Sequence, residues 1–282
     1  MLSKIFLFQN CQTPDFISKN IIFKEDNFMR TFEMEITVPE VNGGRCVPIP
    51  ESELECRIDP STFAGAWIEE YEPTSGKQKM TLDLYQDAKA KDRLYAFTCM
   101  TIDPSIKDGK IVYKKGLPII ANFSYSQWAK MLKDYNPSRN SRVMIRTEYA
   151  CRNLFIIKNL IESGYKIADA WREVCDDSKN IGHYYDVNYA RNDPKNDYEP
   201  TGSSEICGFC DLGNAWKFIA EDPWEEHSWD ETPAPCEEGT GFWVAGGFCK
   251  RSGSFGPVAE LWYWSYKYYN YPLNGVAMLA MD

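Results

Sequence analysis

The stretch that decides the fold lies near the end of the sequence, where residues 241–282 read GFWVAGGFCKRSGSFGPVAELWYWSYKYYNYPLNGVAMLAMD. Seven aromatic rings crowd into ten of these positions: Trp262, Tyr263, Trp264, Tyr266, Tyr268, Tyr269 and Tyr271. Because a buried tyrosine needs a hydrogen-bond partner for its hydroxyl, five crowded phenols are satisfied more easily at a wet surface than in a core. The stretch therefore predicts a displayed binding surface that the rest of the chain supports.

The composition of the whole chain narrows the classes of function. The chain has 282 residues, 44% of them hydrophobic, which is typical of a globular protein with a core. Its net charge of -10 argues against nucleic acid as the main partner, because phosphate binding needs a surplus of Lys and Arg. No apolar run reaches the roughly 18–20 residues that cross a bilayer, so we expect no membrane span.

The cysteines favour a protein made in a reducing cytoplasm. Ten are scattered along the sequence, which is more typical of buried free thiols than of a disulfide framework. The pair Cys207 and Cys210 forms the CxxC motif, and with Cys236, Cys249 or His227 it is an alternative zinc site. A second CxxC is missing, and the acidic loops lack the D-x-D-x-D spacing of a calcium loop. We therefore predict no metal and no cofactor.

The first half of the chain is predicted to be mostly β-structure. Residues 1–28 are expected to be a flexible leader, with Met29 as an alternative start. In the region 29–135, polar and apolar residues alternate from Thr31 to Val38, and this period of two is typical of a strand. Four more short strands are expected between turn signals, at residues 65–71, 79–84, 93–102 and 110–113. A short helix is expected at 124–135.

Residues 136–282 are predicted to form a second, α+β domain. Thr147 is a good helix N-cap, and an apolar stripe follows with Gly164 as the stop signal. The stripe consists of Ala150, Leu154, Ile157 and Ile161. A second helix is expected at 167–175. The acidic run 221–238 is interpreted as a solvated loop.

Four segments carry a resemblance to a known family. The sequence Asp211-Leu-Gly-Asn-Ala-Trp-Lys-Phe218 resembles the D-[LM]-x-G-N-V-W-E-W segment of the formylglycine-generating-enzyme branch of the C-type lectin fold. The segment 241–259 is similar to the strand and loop that follow it there, and residues 275–277 stand where that family closes with G-F-R. The helix at 147–164 matches an early helix of the family. The resemblance implies a C-type-lectin-like C-terminal domain at 136–282, preceded by a small mostly-β N-terminal region.

Within that branch, the chain resembles the variable proteins of diversity-generating retroelements. These proteins end in a hypervariable region that opens with a glycine pair, which here implies a variable segment at 246–275. Randomised template adenines convert Asn codons to Tyr, Ser, Asp and others, and many residues here belong to that set. The implied ligand-binding residues are Phe248, Cys249, Lys250, Arg251, Ser254, Phe255, Tyr263, Ser265, Tyr266, Lys267, Tyr268, Tyr269, Asn270 and Tyr271. Trp262, Trp264 and Lys267 do not derive from an Asn codon, so they are either fixed scaffold positions or products of other template codons. The two tryptophans are interpreted as fixed support.

The resemblance implies a receptor-binding role rather than catalysis. The expected partner is a protein or glycan on a cell surface, recognised by a phage-associated or surface-displayed protein, with homo-oligomer formation left open. The oxidases of the branch use two late cysteines near a C-Y-R-Y-R stretch, whereas this chain has only Cys249 there. No enzymatic activity is therefore predicted. The alternatives are an oxidase relative that uses Cys249, and a structural assembly protein that buries the aromatic run in an interface.

Overall fold

The computed structural model describes residues 54–114, 117, 119, 123–182, 208–213, 215–224, 242–246, 257–264 and 275–282. All of them belong to one compact unit, Phe32–Asp282. The helices in this part of the chain are α1 Ala66–Glu69, α2 Gly76–Ala90, α3 Tyr125–Lys133, α4 Arg146–Glu162 and α5 Ile167–Cys175. Short 3-10 turns lie at Pro60–Thr62 and Pro137–Arg139.

The strands are short and belong to three sheets. They are β1 Glu55–Ile58, β2 Phe97–Met100, β3 Ser105–Lys107, β4 Lys110–Val112, β5 Arg142–Val143, β6 Trp216–Ile219, β7 Phe242–Ala245, β8 Leu261–Trp264, β9 Gly275–Ala277 and β10 Leu279–Met281. One sheet has the order β1-β2-β10-β5, a second has the order β8-β7-β6-β9, and β3 pairs with β4. Only β6 and β9 run parallel among these pairs.

The two larger sheets separate two hydrophobic cores. Successive strand residues point to opposite faces of a sheet, and here they enter different cores. Phe218 packs in the core that contains α3, whereas Ile219 packs in the core beneath α2, α4 and α5. Met278 and Leu279 alternate in the same way. The sheets therefore form a layer with helices on both sides.

Helix α2 corrects two of the predicted strands. Residues 79–84 were expected to be a strand, but they lie in the middle of α2, and α1 occupies part of the predicted strand at 65–71. The Ser75 side chain caps α2 by accepting a hydrogen bond from the Gln78 N–H at 3.2 Å. By contrast, the predicted strands at 93–102 and 110–113 do contain β2 and β4. The region before residue 136 is thus helical and β-stranded in its described part, not mostly β.

The predicted domain boundary between 135 and 136 is also wrong. Strand β10 pairs with β2 on one side and β5 on the other, so one sheet contains strands from both predicted domains. Helices α2 and α4 pack in the same core. Hydrogen bonds and apolar contacts cross the boundary throughout, and the two segments form one unit.

The predicted helices of the second half are present. Helix α3 lies within the segment 124–135, and α5 spans the predicted residues 167–175. Helix α4 ends as expected, because Gly164 adopts φ +101° and the Tyr165 N–H donates to the Leu160 carbonyl at 3.0 Å. Its beginning differs from the prediction.

Thr147 is not the N-cap of α4. The helix begins at Arg146, and the preceding Ile145 has no polar side chain to serve as a cap. Glu148 accepts a hydrogen bond from the Ile145 N–H at 2.9 Å, and Asp222 accepts one from the Thr147 N–H at 2.9 Å. Carboxylates thus satisfy the free N–H groups of the first turn.

The close approach of β9 to β6 yields a prediction at Gly275. A Cβ atom at this position would lie 2.7 Å from the Phe218 ring and 3.0 Å from the Trp216 carbonyl oxygen. Since Phe218 is fully buried, it has no room to move aside. We expect Gly275→Ala to lower the free energy of unfolding by about 1–3 kcal/mol, measured by urea denaturation.

Gly76→Ala provides the matched control for this experiment. A Cβ atom there meets nothing within 4 Å, at the first position of α2. Because alanine favours helices over glycine, this variant should be neutral or slightly more stable than the wild type. Equal stability of the two variants would contradict the predicted clash.

Candidate functional site

The candidate site lies around Tyr263 on strand β8. Its side chain is 44% exposed, and Tyr95 is the other large hydrophobic side chain that is exposed in the described part of the chain. This exposure agrees with the predicted position of Tyr263 on a surface. The remaining predicted contact residues lie outside the described residues: Phe248, Cys249, Lys250, Arg251, Ser254, Phe255, Ser265, Tyr266, Lys267, Tyr268, Tyr269, Asn270 and Tyr271.

Trp243 on the neighbouring strand β7 supports Tyr263. The two residues are directly opposite each other in the antiparallel pair. Their ring centroids are 5.4 Å apart and the ring planes make an angle of 67°, which is the favoured edge-to-face geometry. Trp243 itself is partly buried against the core beneath the helices. One ring is therefore fixed, and it holds the more exposed one.

Charged groups in turn hold Trp243. The Arg146 guanidinium lies 4.9 Å from the centre of a Trp243 ring, in cation–π geometry. The indole N–H donates a hydrogen bond to the Glu221 carboxylate. The Arg146 Nε atom lies 3.4 Å from Glu221 and 3.5 Å from Asp222. We call Arg146, Glu221, Asp222, Trp243 and Tyr263 the Trp243 platform.

Asp222 connects the platform to the beginning of helix α4. Its carboxylate accepts hydrogen bonds from both the N–H and the hydroxyl of Thr147, each at 2.9 Å. Burial raises the pKa of Asp222 above its ordinary value, against the opposing effect of these hydrogen bonds and of Arg146. Desolvation of the charged form is therefore the dominant effect at this carboxyl group.

The same two carboxylates correct the interpretation of the acidic run. Residues 221–238 were predicted to be a solvated loop, but Glu221 and Asp222 are 3% and 1% exposed. Both are committed to contacts within the fold. The rest of the run from residue 225 onward lies outside the described residues.

The exposed part of the platform is the Tyr263 ring, and its carboxylates are buried behind that ring. Glu221 accepts from the Trp243 indole N–H, and Asp222 accepts from Thr147. Partial burial and the nearby Glu221 raise the pKa of Tyr263, so the phenol stays protonated at neutral pH. No group of three or more His, Cys, Asp or Glu side chains suitable for a metal occurs in the described part of the chain.

Gly246 determines how the chain leaves strand β7 toward the predicted variable segment. Its φ of +65° is the left-handed conformation that glycine favours. A Cβ atom there would lie 3.6 Å from the Val258 carbonyl oxygen, which accepts a hydrogen bond from the Tyr149 hydroxyl. The Gly246 N–H donates to the Glu260 carbonyl at 2.8 Å. Gly246 and Val258, on either side of residues 247–256, are thus both held by contacts within the described fold.

The segment 211–218 contributes to the interior of the fold in its described residues. Asp211 forms a buried ion pair with Arg152 of α4. Phe218 is fully buried, whereas Trp216 is only partly buried.

Sequence reasoning missed Arg146, Glu221, Asp222 and Trp243 as members of the site. Trp243 precedes the glycine pair in an apolar run, so its ring was a visible signal. Arg146 is separated from Glu221 by a long stretch of chain, and no local pattern links them. The pairing of β6 with β7 and the bridge between Ile145 and Ala220 bring these residues together.

Comparisons with known proteins add little to this geometry. No family model matches the chain, and no curated protein matches it. Among solved structures, the crystal structure of CarF aligns over 67% of this chain and 87% of its own, with a TM-score of 0.40 and 10% identity. A similarity at this level supports no conclusion about fold or function.

The helices give one finding about membranes. In the described residues, none of the helices is both long enough and apolar enough to cross a bilayer.

The raised pKa of Asp222 predicts a pH dependence of stability. The folded protein binds a proton at Asp222 more readily than the unfolded chain does. The stabilisation that this proton gives the folded state is therefore complete at a pH below the pKa of the unfolded state. It is lost as the pH rises through the raised pKa of the folded state. We expect the wild type to lose stability relative to Asp222→Asn as the pH rises from about 3 to about 7. Urea denaturation across this range measures the difference.

Asp83→Asn is the control for the removal of a carboxylate. Asp83 lies on the exposed face of α2 and pairs with Lys79. This variant reports the effect of removing a surface charge at each pH. A difference between wild type and Asp222→Asn that stays constant or grows with pH would contradict the predicted direction.

Proposed function

We propose that the chain is a ligand-binding protein that displays a hypervariable Trp/Tyr-rich surface on a C-type-lectin-like scaffold. Its role would be recognition of a receptor on a cell surface, as in phage–host attachment. The partner would be a protein or a glycan, and binding would involve no chemical reaction. The variable surface would comprise residues 246–275, and the Trp243 platform would support it.

The single observation that carries this proposal is the exposed Tyr263 on its fixed support. An aromatic ring that is 44% exposed and packed against a partly buried tryptophan has apolar area available for a partner. Tyr263 is also the second ring of the aromatic run that begins at Trp262. In the described part of the chain, β8 is the outer strand of its sheet.

Tyrosine is well suited to this kind of contact. Its side chain has few rotatable bonds, so little conformational entropy is lost on binding, and it offers both an apolar ring and a hydroxyl. Contact with Trp243 restricts the Tyr263 ring before any partner arrives. Such pre-organisation lowers the entropic cost of binding.

A retargeting experiment tests the proposal. In a displayed library, the positions that an Asn codon can reach are randomised: Tyr263, Ser265, Tyr266, Tyr268, Tyr269, Asn270 and Tyr271. Selection against immobilised lysozyme should yield folded binders with a Kd of about 1 μM or tighter. Because the altered residues belong to a surface, the Tm should stay within roughly 3 °C of the wild type.

A second library provides the matched control. It randomises exposed positions of helix α2: Lys79, Asp83, Gln86, Asp87 and Ala90. These variants should fold but yield far fewer binders, because a charged helix face offers no aromatic anchors. Equal numbers of binders from both libraries, or general unfolding of the first, would overturn the proposal.

The proposal also predicts a feature of the encoding genome. A near-copy of the DNA for residues 245–275 should lie beside a reverse-transcriptase gene and differ from the coding copy mainly at adenines. Sequencing the neighbouring DNA checks this directly. If no such copy exists, the retroelement origin fails, whereas the selection experiment still decides whether the surface binds.

A further inference from the structure

Two cysteines face each other across the first sheet. Cys56 on β1 and Cys99 on β2 are directly opposite in an antiparallel pair. Facing residues in such a pair have Cα atoms about 4.5–5.5 Å apart, and this range lies within the 4.4–6.8 Å found for disulfides. Both residues are free thiols in this structure. The backbone therefore already places the two residues at a separation that a disulfide can bridge.

The two thiols are in contact but have different environments. Cys99 is fully buried in the core beneath the helices, whereas Cys56 is partly exposed and packs against that core. In the described part of the chain, β1 is the outer strand of its sheet. A reagent in solution thus reaches Cys56 first, and Cys99 lies behind it.

The electrostatics point to the same order of reaction. A hydrogen bond from Cys99 lowers the pKa of Cys56. Burial raises this pKa and the positive charge of Arg152 lowers it, and the net shift is downward. The same interaction and burial raise the pKa of Cys99. Cys56 is therefore the attacking thiolate and Cys99 the resolving thiol.

We propose that Cys56 and Cys99 form a thiol–disulfide exchange site that reacts with low-molecular-weight disulfides. The Cys56 thiolate attacks one sulfur of the small disulfide, which forms a mixed disulfide and releases one small thiolate. The Cys99 sulfur then attacks Cys56, breaks the mixed bond and releases the second small thiol, which takes the Cys99 proton. The two protein thiols lose two electrons, and the small disulfide gains them.

Formation of this bond would link the outer strand β1 covalently to the inner strand β2. Strand β2 pairs with both β1 and the C-terminal strand β10. A disulfide between β1 and β2 restricts the unfolded chain, and this stabilises the folded form. The oxidised protein should therefore unfold at a temperature roughly 5–10 °C higher than the reduced protein.

Two further described cysteines, Cys151 and Cys175, have different surroundings. Cys151 and Cys175 are fully buried on helices α4 and α5, and burial raises the pKa of each thiol. A low thiolate fraction and poor access make both slow to react. They serve as internal controls in the same sample.

The test uses the full chain and glutathione as the probe. The protein is equilibrated with graded ratios of glutathione disulfide to glutathione, its remaining thiols are alkylated, and peptides are mapped by mass spectrometry. We expect a Cys56–Cys99 cross-link that appears as the ratio rises and disappears with excess glutathione. Cys151 and Cys175 should be recovered in the alkylated form at every ratio, which shows that they remained reduced. The Tm should rise with the cross-linked fraction.

Two variants separate the roles of the cysteines. Cys56→Ser should leave Cys99 reduced at every ratio, because the accessible thiol is gone. Cys99→Ala should accumulate glutathione on Cys56, because the resolving thiol is gone. If Cys99→Ala does not fold, the wild-type peptide map still decides. Two free thiols at the most oxidising ratio, or a bond from Cys56 to another cysteine, would overturn the proposal.

Discussion

The structure depends on the backbone hydrogen bonds of Met278, where the chain passes from one sheet to the other. The Met278 N–H donates to the Phe218 carbonyl at 3.2 Å, and the Met278 carbonyl accepts from the Met144 N–H at 2.8 Å. Strand β9 precedes this residue and β10 follows it. Side chains of β9 and β10 alternate between the two cores. A shift of either strand by one residue would therefore move each of its side chains into the opposite core. The final segment 275–282 therefore fixes the register of β2, β5 and β6, which come from distant parts of the chain.

Buried ion pairs add a second constraint around this framework. Arg152 pairs with Asp211, and Lys217 pairs with Asp103, and all four residues are almost completely buried. Removing charges from water costs about as much as such pairs return, so their net contribution to stability is small. Loss of one partner, however, leaves an uncompensated buried charge. These pairs therefore disfavour alternative arrangements in which the segments do not meet.

The sequence predicts the local features of the fold better than its long-range contacts. The apolar stripe and Gly164 revealed α4 because the stripe lies within the helix and Gly164 follows directly after its C-cap. Helix α2 was mistaken for a strand because Met80, Leu82 and Leu84 alternate with polar residues. Its buried face actually includes Gln78 and Thr81, which no hydrophobic pattern marks. The predicted domain boundary was wrong for a different reason. Strand β10 pairs with β2, which lies far from it in the sequence, and no local pattern predicts this pairing. The site follows the same division: local crowding of aromatic residues indicated Tyr263, whereas its support by Arg146 depends on strand pairing.

In the proposed function, a fixed frame and a changeable surface would lie side by side in one strand pair. Trp243 is held from three sides, by Arg146, by Glu221 and by the core. Tyr263 packs edge-to-face on Trp243 and remains 44% exposed, so part of its surface stays available to a partner. In the proposed function, Trp243 and its charged neighbours would provide the support, and Tyr263 would provide contact area. Residues that contribute little to folding are free to vary, and variation at such positions changes what a surface binds without changing what supports it.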